Sequence, residues 1–121
     1  MYMRITFSVF GEKFNAEYAS NNLKSYELKS ILDLDYPQTL RFIHPNEFSD
    51  AYWDENYEEA YFNFITKNID ILLEYGADDF DIFIEIYKSE LEQCNFQILN
   101  QNFLCLLGKY KMSVPVSVYT V

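Results

Sequence analysis

The chain has 121 residues, half of them hydrophobic and 19% aromatic, which is enough apolar material for one self-sufficient domain spanning 1–121. Nineteen acidic residues oppose nine basic ones, a formal net charge of −10. Such a field disfavours direct binding to nucleic-acid phosphates or to an anionic membrane surface, and it favours encounter with a basic protein.

Tyr2 to Phe10 alternates, with Met3, Ile5, Phe7 and Val9 against Arg4, Thr6 and Ser8, and predicts a half-buried strand that ends at Gly11. Asn15 is placed to cap a short helix through about Leu23. Residues 26–34 and 39–43 read as two short strands, with Pro37 in the turn between them. The strongest helical pattern begins after Trp53, with Asp54 as N-cap and Glu55, Glu58 and Glu59 where the helix dipole favours negative charge. Its apolar positions, Tyr57, Ala60, Tyr61, Phe64, Ile65, Ile69, Leu72 and Leu73, define one buried stripe, and Gly76 stands at its C-terminal cap. Glu58, Glu59, Phe62, Thr66, Asp70 and Glu74 fall on the opposite face.

Phe80 to Tyr87 alternates again, and Asn95 to Ile98 is expected as its antiparallel partner. Asn100 is a second N-cap, for a helix through Leu106 and Leu107 closed near Gly108. Met112 to Val121 is a last strand; Pro115 lacks an amide donor, so an edge position or a bulge is expected. The order β-α-β-β-α-β-β-α-β predicts an α+β domain: an antiparallel or mixed sheet of five to six strands, with about three helices packed mainly on one face.

Catalytic chemistry finds little support. The single histidine, His44, precedes Pro45 in a turn; Glu47 or Asp50 could make a base of it, but a structural turn residue is the simpler reading. Cys94 and Cys105 are too few for a disulfide framework and lack the paired spacings of zinc ligands, so they are expected to be free and buried in a reducing, cytoplasmic setting. Asp78, Asp79 and Asp81 lack the ordered oxygen-ligand loop of a calcium site and read as solvated acids. Gly11, Gly76 and Gly108 are isolated and form no phosphate cradle. No catalytic residue, metal or cofactor is therefore expected.

Charge distribution is more informative. Residues 42–87 contain twelve acids and one base, Lys67, while the rest of the chain holds seven acids and eight bases. Trp53 and Phe62 are interleaved among these acids, and aromatic anchors in a charged rim have the composition of a protein–protein contact. The alternative is that Trp53 staples the helix start and the acids form an ordinary solvated face.

Three phrases carry a resemblance: RITFSVFGEKFNAEY at 4–18, DIFIEIY at 81–87, and FQILNQNFLCLLGKYKMSVPVSVY at 96–119. In pattern they resemble the bacterial family known as domain of unknown function 4279. The resemblance implies a small α+β domain and brings no catalytic residues; by analogy, such families are associated with immunity proteins that accompany secreted toxins. The sequence thus supports an acidic immunity protein that neutralises a basic toxin domain, such as a nuclease. Glu47, Asp50, Asp54, Glu55, Glu58 and Glu59 would supply charge, and Trp53 and Phe62 would act as anchors. The competing reading is a non-catalytic structural or regulatory domain that self-associates through the strand of Pro115 or through exposed aromatics.

Overall fold

A computed structural model describes residues 2–46, 55–91 and 99–121. Five strands form one mixed sheet: β1 (Tyr2–Phe10), β2 (Lys29–Leu32), β3 (Thr39–Ile43), β4 (Asp79–Lys88) and β5 (Val116–Thr120). Three helices accompany it: α1 (Ala16–Asn21), α2 (Glu55–Glu74) and α3 (Gln101–Lys109). The strand order is β2-β3-β1-β4-β5, antiparallel throughout except where β5 runs parallel to β4. This is the α+β arrangement that the alternation of elements predicts. The expected strand at 95–98 lies outside the described residues, and β4 itself is flanked by β1 and β5.

The crossovers follow from strand direction. β3 and β4 both run opposite to β1, hence parallel to each other, and parallel strands need a long connection. Helix α2 supplies it by crossing over β1. The alternation of β1 then decides which side chains meet the helix: Met3, Ile5, Phe7 and Val9 are all buried. Phe7 is the hub, stacked on Phe42 at 5.7 Å and on Phe80 at 6.1 Å, with the Phe64 ring edge-on at 6.4 Å. Each such fully buried aromatic contributes roughly 1.5–3 kcal/mol of apolar burial.

The stripe expected on α2 is buried from Tyr57 to Leu72 apart from Ala60, which is partly buried, but Leu73 is 42% exposed. It sits in the last turn, where the helix ends on the β1–α1 connection. Gly76 has φ +102° there, and a Cβ on it would stand 2.5 Å from the Lys13 carbonyl oxygen. Glycine is required on both counts. Asn15 N–H then donates to the Tyr75 carbonyl (3.0 Å), while the Asn15 side chain caps α1 by accepting from Tyr18 N–H (3.2 Å).

Several boundaries differ from expectation for local reasons. Helix α1 stops at Asn21 because the Asn22 side-chain amide donates to the Tyr18 carbonyl (2.7 Å) and closes it. Strand β2 is shorter than 26–34. Upstream, Asn68 holds the backbone of Lys24 and Ser25; downstream, the Asp33 carboxylate accepts from Asp35 N–H (3.0 Å) and makes a turn. Gly108 lies inside α3 instead of closing it, and the reversal falls at Lys111, with φ 53° and Met112 N–H bonded to the Leu107 carbonyl (2.9 Å). Cys105, expected in the core, is exposed and free. Phe103, Leu106 and Leu107 take the inward stripe of α3, and position 105 points away from it.

Pro115 lies just before β5, which is an edge strand as expected. Its imino nitrogen points inward, however, not to the open edge. Ser113 exchanges hydrogen bonds with Phe80 and Ile82, and the Pro115 carbonyl accepts from Ile84 N–H (2.9 Å), so the odd positions face β4. The missing donor interrupts the inner ladder between the isolated bridge at Ser113 and the start of β5 at Val116.

Candidate functional site

Helix α2 organises the surface as well as the core. Glu59, Thr66, Asp70 and Glu74 are exposed and recur at helical spacing, so they form one outward stripe about 22 Å long at 1.5 Å per residue. Asp78 and Asp79, beyond the helix end, are also exposed, and Asp79 begins β4 on the sheet face that carries Asp81. Lys67, the one base in this segment, pairs with Glu27 at 3.7 Å. Among the described residues, Glu59, Asp70 and Glu74 enter no ion pair.

Of the residues expected to bind a partner, Glu47, Asp50, Trp53 and Asp54 lie outside the described residues. Glu55 begins α2, and Glu59 lies on the outward stripe. Glu58 and Phe62 do not. Glu58 is 9% exposed, and its carboxylate accepts from the Asn100 N–H at 2.7 Å. Phe62 is half-buried against Phe103, with ring centroids 5.8 Å apart. The reason is α3: it packs along the flank of α2 that carries positions 58 and 62. A carboxylate beside the start of α3 also meets the positive end of that helix dipole. These two residues join helices.

The buried polar group that sequence reasoning missed is Asn68, 0% exposed. Its oxygen accepts from Lys24 N–H (2.7 Å) and Ser25 N–H (3.3 Å), and its amide donates to the Phe64 carbonyl (2.9 Å) and Ser25 Oγ (2.9 Å). An asparagine inside an apolar stripe, between Ile65 and Ile69, was the available signal.

The aromatic pair at the start of α2 has a structural task. Ile5 faces β3 but lies beyond the last β1–β3 pair, Phe7↔Phe42. There the Ile5 N–H donates to Tyr57 Oη (2.9 Å), and Tyr61 Oη donates to the Ile5 carbonyl (2.5 Å) while accepting from His44 N–H (2.9 Å). Two tyrosine hydroxyls thus continue the ladder where the strands part, which keeps buried backbone groups satisfied. The His44 ring lies 5.1 Å from the Tyr57 ring, and His44 Nδ1 accepts from Asn46 N–H (3.1 Å), as a turn residue does.

The face of the sheet away from the core carries a second polar set. Arg4 and Glu85 are cross-strand partners, with Nε to Oε1 at 3.9 Å, and Tyr87 Oη donates to Glu85 (2.7 Å) while its ring stacks on Tyr119 at 5.1 Å. That hydrogen bond holds the Tyr87 phenol above its ordinary pKa, with burial and the Glu85 charge adding to it. Asp81 is likewise raised, first by burial and then by the Asp79 charge. Among the described residues, no three His, Cys, Asp or Glu side chains are grouped to hold a metal ion, and no helix is long and apolar enough to cross a membrane.

Together these features define a small α+β domain with one helix-covered sheet face and an acidic helix stripe. Comparison with protein-family models, with characterised proteins and with solved structures found no match.

Proposed function

We propose that this protein is a non-catalytic, cytoplasmic immunity protein that binds and neutralises a basic bacterial toxin domain. The observation that carries the reading is the twelve-to-one acid excess over residues 42–87. Its described part includes Glu59, Asp70 and Glu74 on one helix stripe, exposed and without a paired cation among the described residues. A nuclease must present cations to hold phosphates, and an acidic stripe can occupy the same cations. Glu58 and Phe62 leave the proposed contact and Asp70 joins it, while Glu47, Asp50, Trp53, Asp54 and Glu55 remain in the proposal on sequence grounds. The resemblance to domain of unknown function 4279 points the same way by analogy.

The test is to identify the gene immediately upstream and, where it encodes a cationic toxin domain, to co-express the two. The protein should restore growth, and Glu59→Lys with Asp70→Lys should weaken the purified complex at least about tenfold. A metabolic gene in the upstream position, or a complex indifferent to both reversals, contradicts the proposal.

A further inference from the structure

The free edge of β5 is built differently from the rest of the surface. Odd positions of this strand bond to β4, so the backbone N–H and C=O groups of Val114, Val116, Val118 and Thr120 point to the open side. Edge strands are normally blunted by charge, by a proline on the open side, or by a bulge. Among the described residues none of these devices is present. Met112 to Val121 contains no charged residue, and the nitrogen of Pro115 faces inward. The opposite edge, β2, carries a charge: Lys29 is exposed at its start.

Side chains add to the pattern. Val116 and Val118 pair with Ile84 and Ile86, which face the helix layer, yet they are 54% and 56% exposed. Among the described residues the helix layer stops short of β5 and leaves an apolar margin.

We propose that this edge is a homodimer interface, in which β5 of a second copy adds antiparallel across a twofold axis at Ser117. Two arguments select a second copy. The first is charge: residues 93–121 contain no acid, and Lys109 and Lys111 are the bases. The seam therefore opposes no charged β5 side chains, and the neighbouring carboxylate, Glu85 beside Ser117, is paired with Arg4. The second is register. With the axis at Ser117, Val116 of each copy faces Val118 of the other, and Val114 faces Thr120. That is the register in which each of the four outward residues finds an outward partner; a shift by two residues either opposes Thr120 to Met112, whose N–H is already bonded to Leu107, or leaves Val114 beyond the partner strand. Antiparallel pairing about an axis normal to the sheet keeps both helix layers on one side, so the four valines form one apolar cluster over a ten-stranded sheet. This inference stands apart from the acidic stripe, which lies on α2.

Sedimentation equilibrium of the full chain over a range of concentrations tests it together with two paired variants. The chain should dimerise. Val116→Lys with Val118→Lys opposes like charges across the axis and should raise the dimer dissociation constant at least about tenfold; Val116→Glu with Val118→Lys opposes unlike charges in this register and should largely restore it. In a Cys94→Ser, Cys105→Ser background, Ser117→Cys should form a disulfide-linked dimer on oxidation, because facing non-hydrogen-bonded residues lie about 4.5 Å apart at Cα. Val114→Cys should not, its two copies being about 20 Å apart. A monomer at every concentration overturns the proposal, as does a dimer that the paired lysines leave intact. Cross-linking at Val114→Cys in place of Ser117→Cys overturns the register.

Discussion

Replacing Tyr61 with phenylalanine removes one oxygen atom and keeps the ring that packs in α2, so its effect reports the hydrogen bonds of that hydroxyl, the Tyr57 contact at 3.4 Å included. Tyr61 is fully buried, and that hydroxyl spans the Ile5 carbonyl and the His44 amide where β1 and β3 part. The Ile5 carbonyl would lose its partner in a dry interior, which costs about 1–3 kcal/mol. The His44 amide lies in a half-buried turn within reach of water, and its loss adds about 0.5 kcal/mol. The sum is about 1.5–3.5 kcal/mol, equivalent at its midpoint to a fall in Tm of about 10 °C for a domain of this size. Urea unfolding followed by far-UV circular dichroism gives the number, with Tyr18→Phe as control. Tyr18 is 61% exposed, and its variant should lie within about 0.5 kcal/mol of the parent. A Tyr61→Phe protein as stable as the Tyr18→Phe control would refute the idea that the hydroxyl carries the ladder past Phe7.

Three further outcomes follow from the polar groups. Glu58→Ala should cost about 2 kcal/mol and Glu58→Gln about 0.5–1 kcal/mol by urea unfolding, because glutamine keeps an acceptor for the Asn100 amide and loses the charge at the start of α3. Asn68→Ala should cost about 2–4 kcal/mol, and amide exchange at Lys24 and Ser25 should accelerate more than in β1, since that backbone loses its anchor. For Asp81, the folded chain holds the proton to higher pH than the unfolded chain does. The native state therefore binds more protons in the window between the ordinary carboxylate value and the raised one, and stability falls as pH rises through that window. Asp81→Asn should melt above the parent at neutral pH, and the difference should vanish below about pH 4.

The parts of the fold legible in sequence are those set by local period. Alternation placed β1 and the centre of β4, and the three-and-four spacing from Tyr57 to Leu72 placed α2 and its buried stripe. The two asparagine caps and the Gly76 turn were legible because each answers a local backbone requirement. What escaped was set by neighbours distant in the chain. Glu58 and Phe62 sit outside the apolar stripe of α2, and only the packing of α3 on that flank buries them. Likewise, the parallel direction of β5 depends on α3 returning the chain. Cys105 is exposed although its neighbours are apolar, because the spacing of Phe103, Leu106 and Leu107 turns position 105 outward. The acidic stripe was half legible. Glu59 was identified, while Asp70 and Glu74, noted on the same outward side, complete a stripe whose continuity shows once α3 is seen to cover the neighbouring flank.

The proposed function rests on long-range attraction between this acidic stripe and a cationic partner, and association kinetics test that attraction most directly. The association rate of the protein with a cationic toxin domain that it neutralises on co-expression should be measured by stopped flow from about 20 mM to about 300 mM salt, a range over which the screening length falls about fourfold. The account predicts a drop in the association rate of at least about tenfold, a smaller change in dissociation, and a weaker salt dependence for Glu59→Lys with Asp70→Lys. An association rate independent of salt, with the reversed variant indistinguishable from the parent, would contradict it.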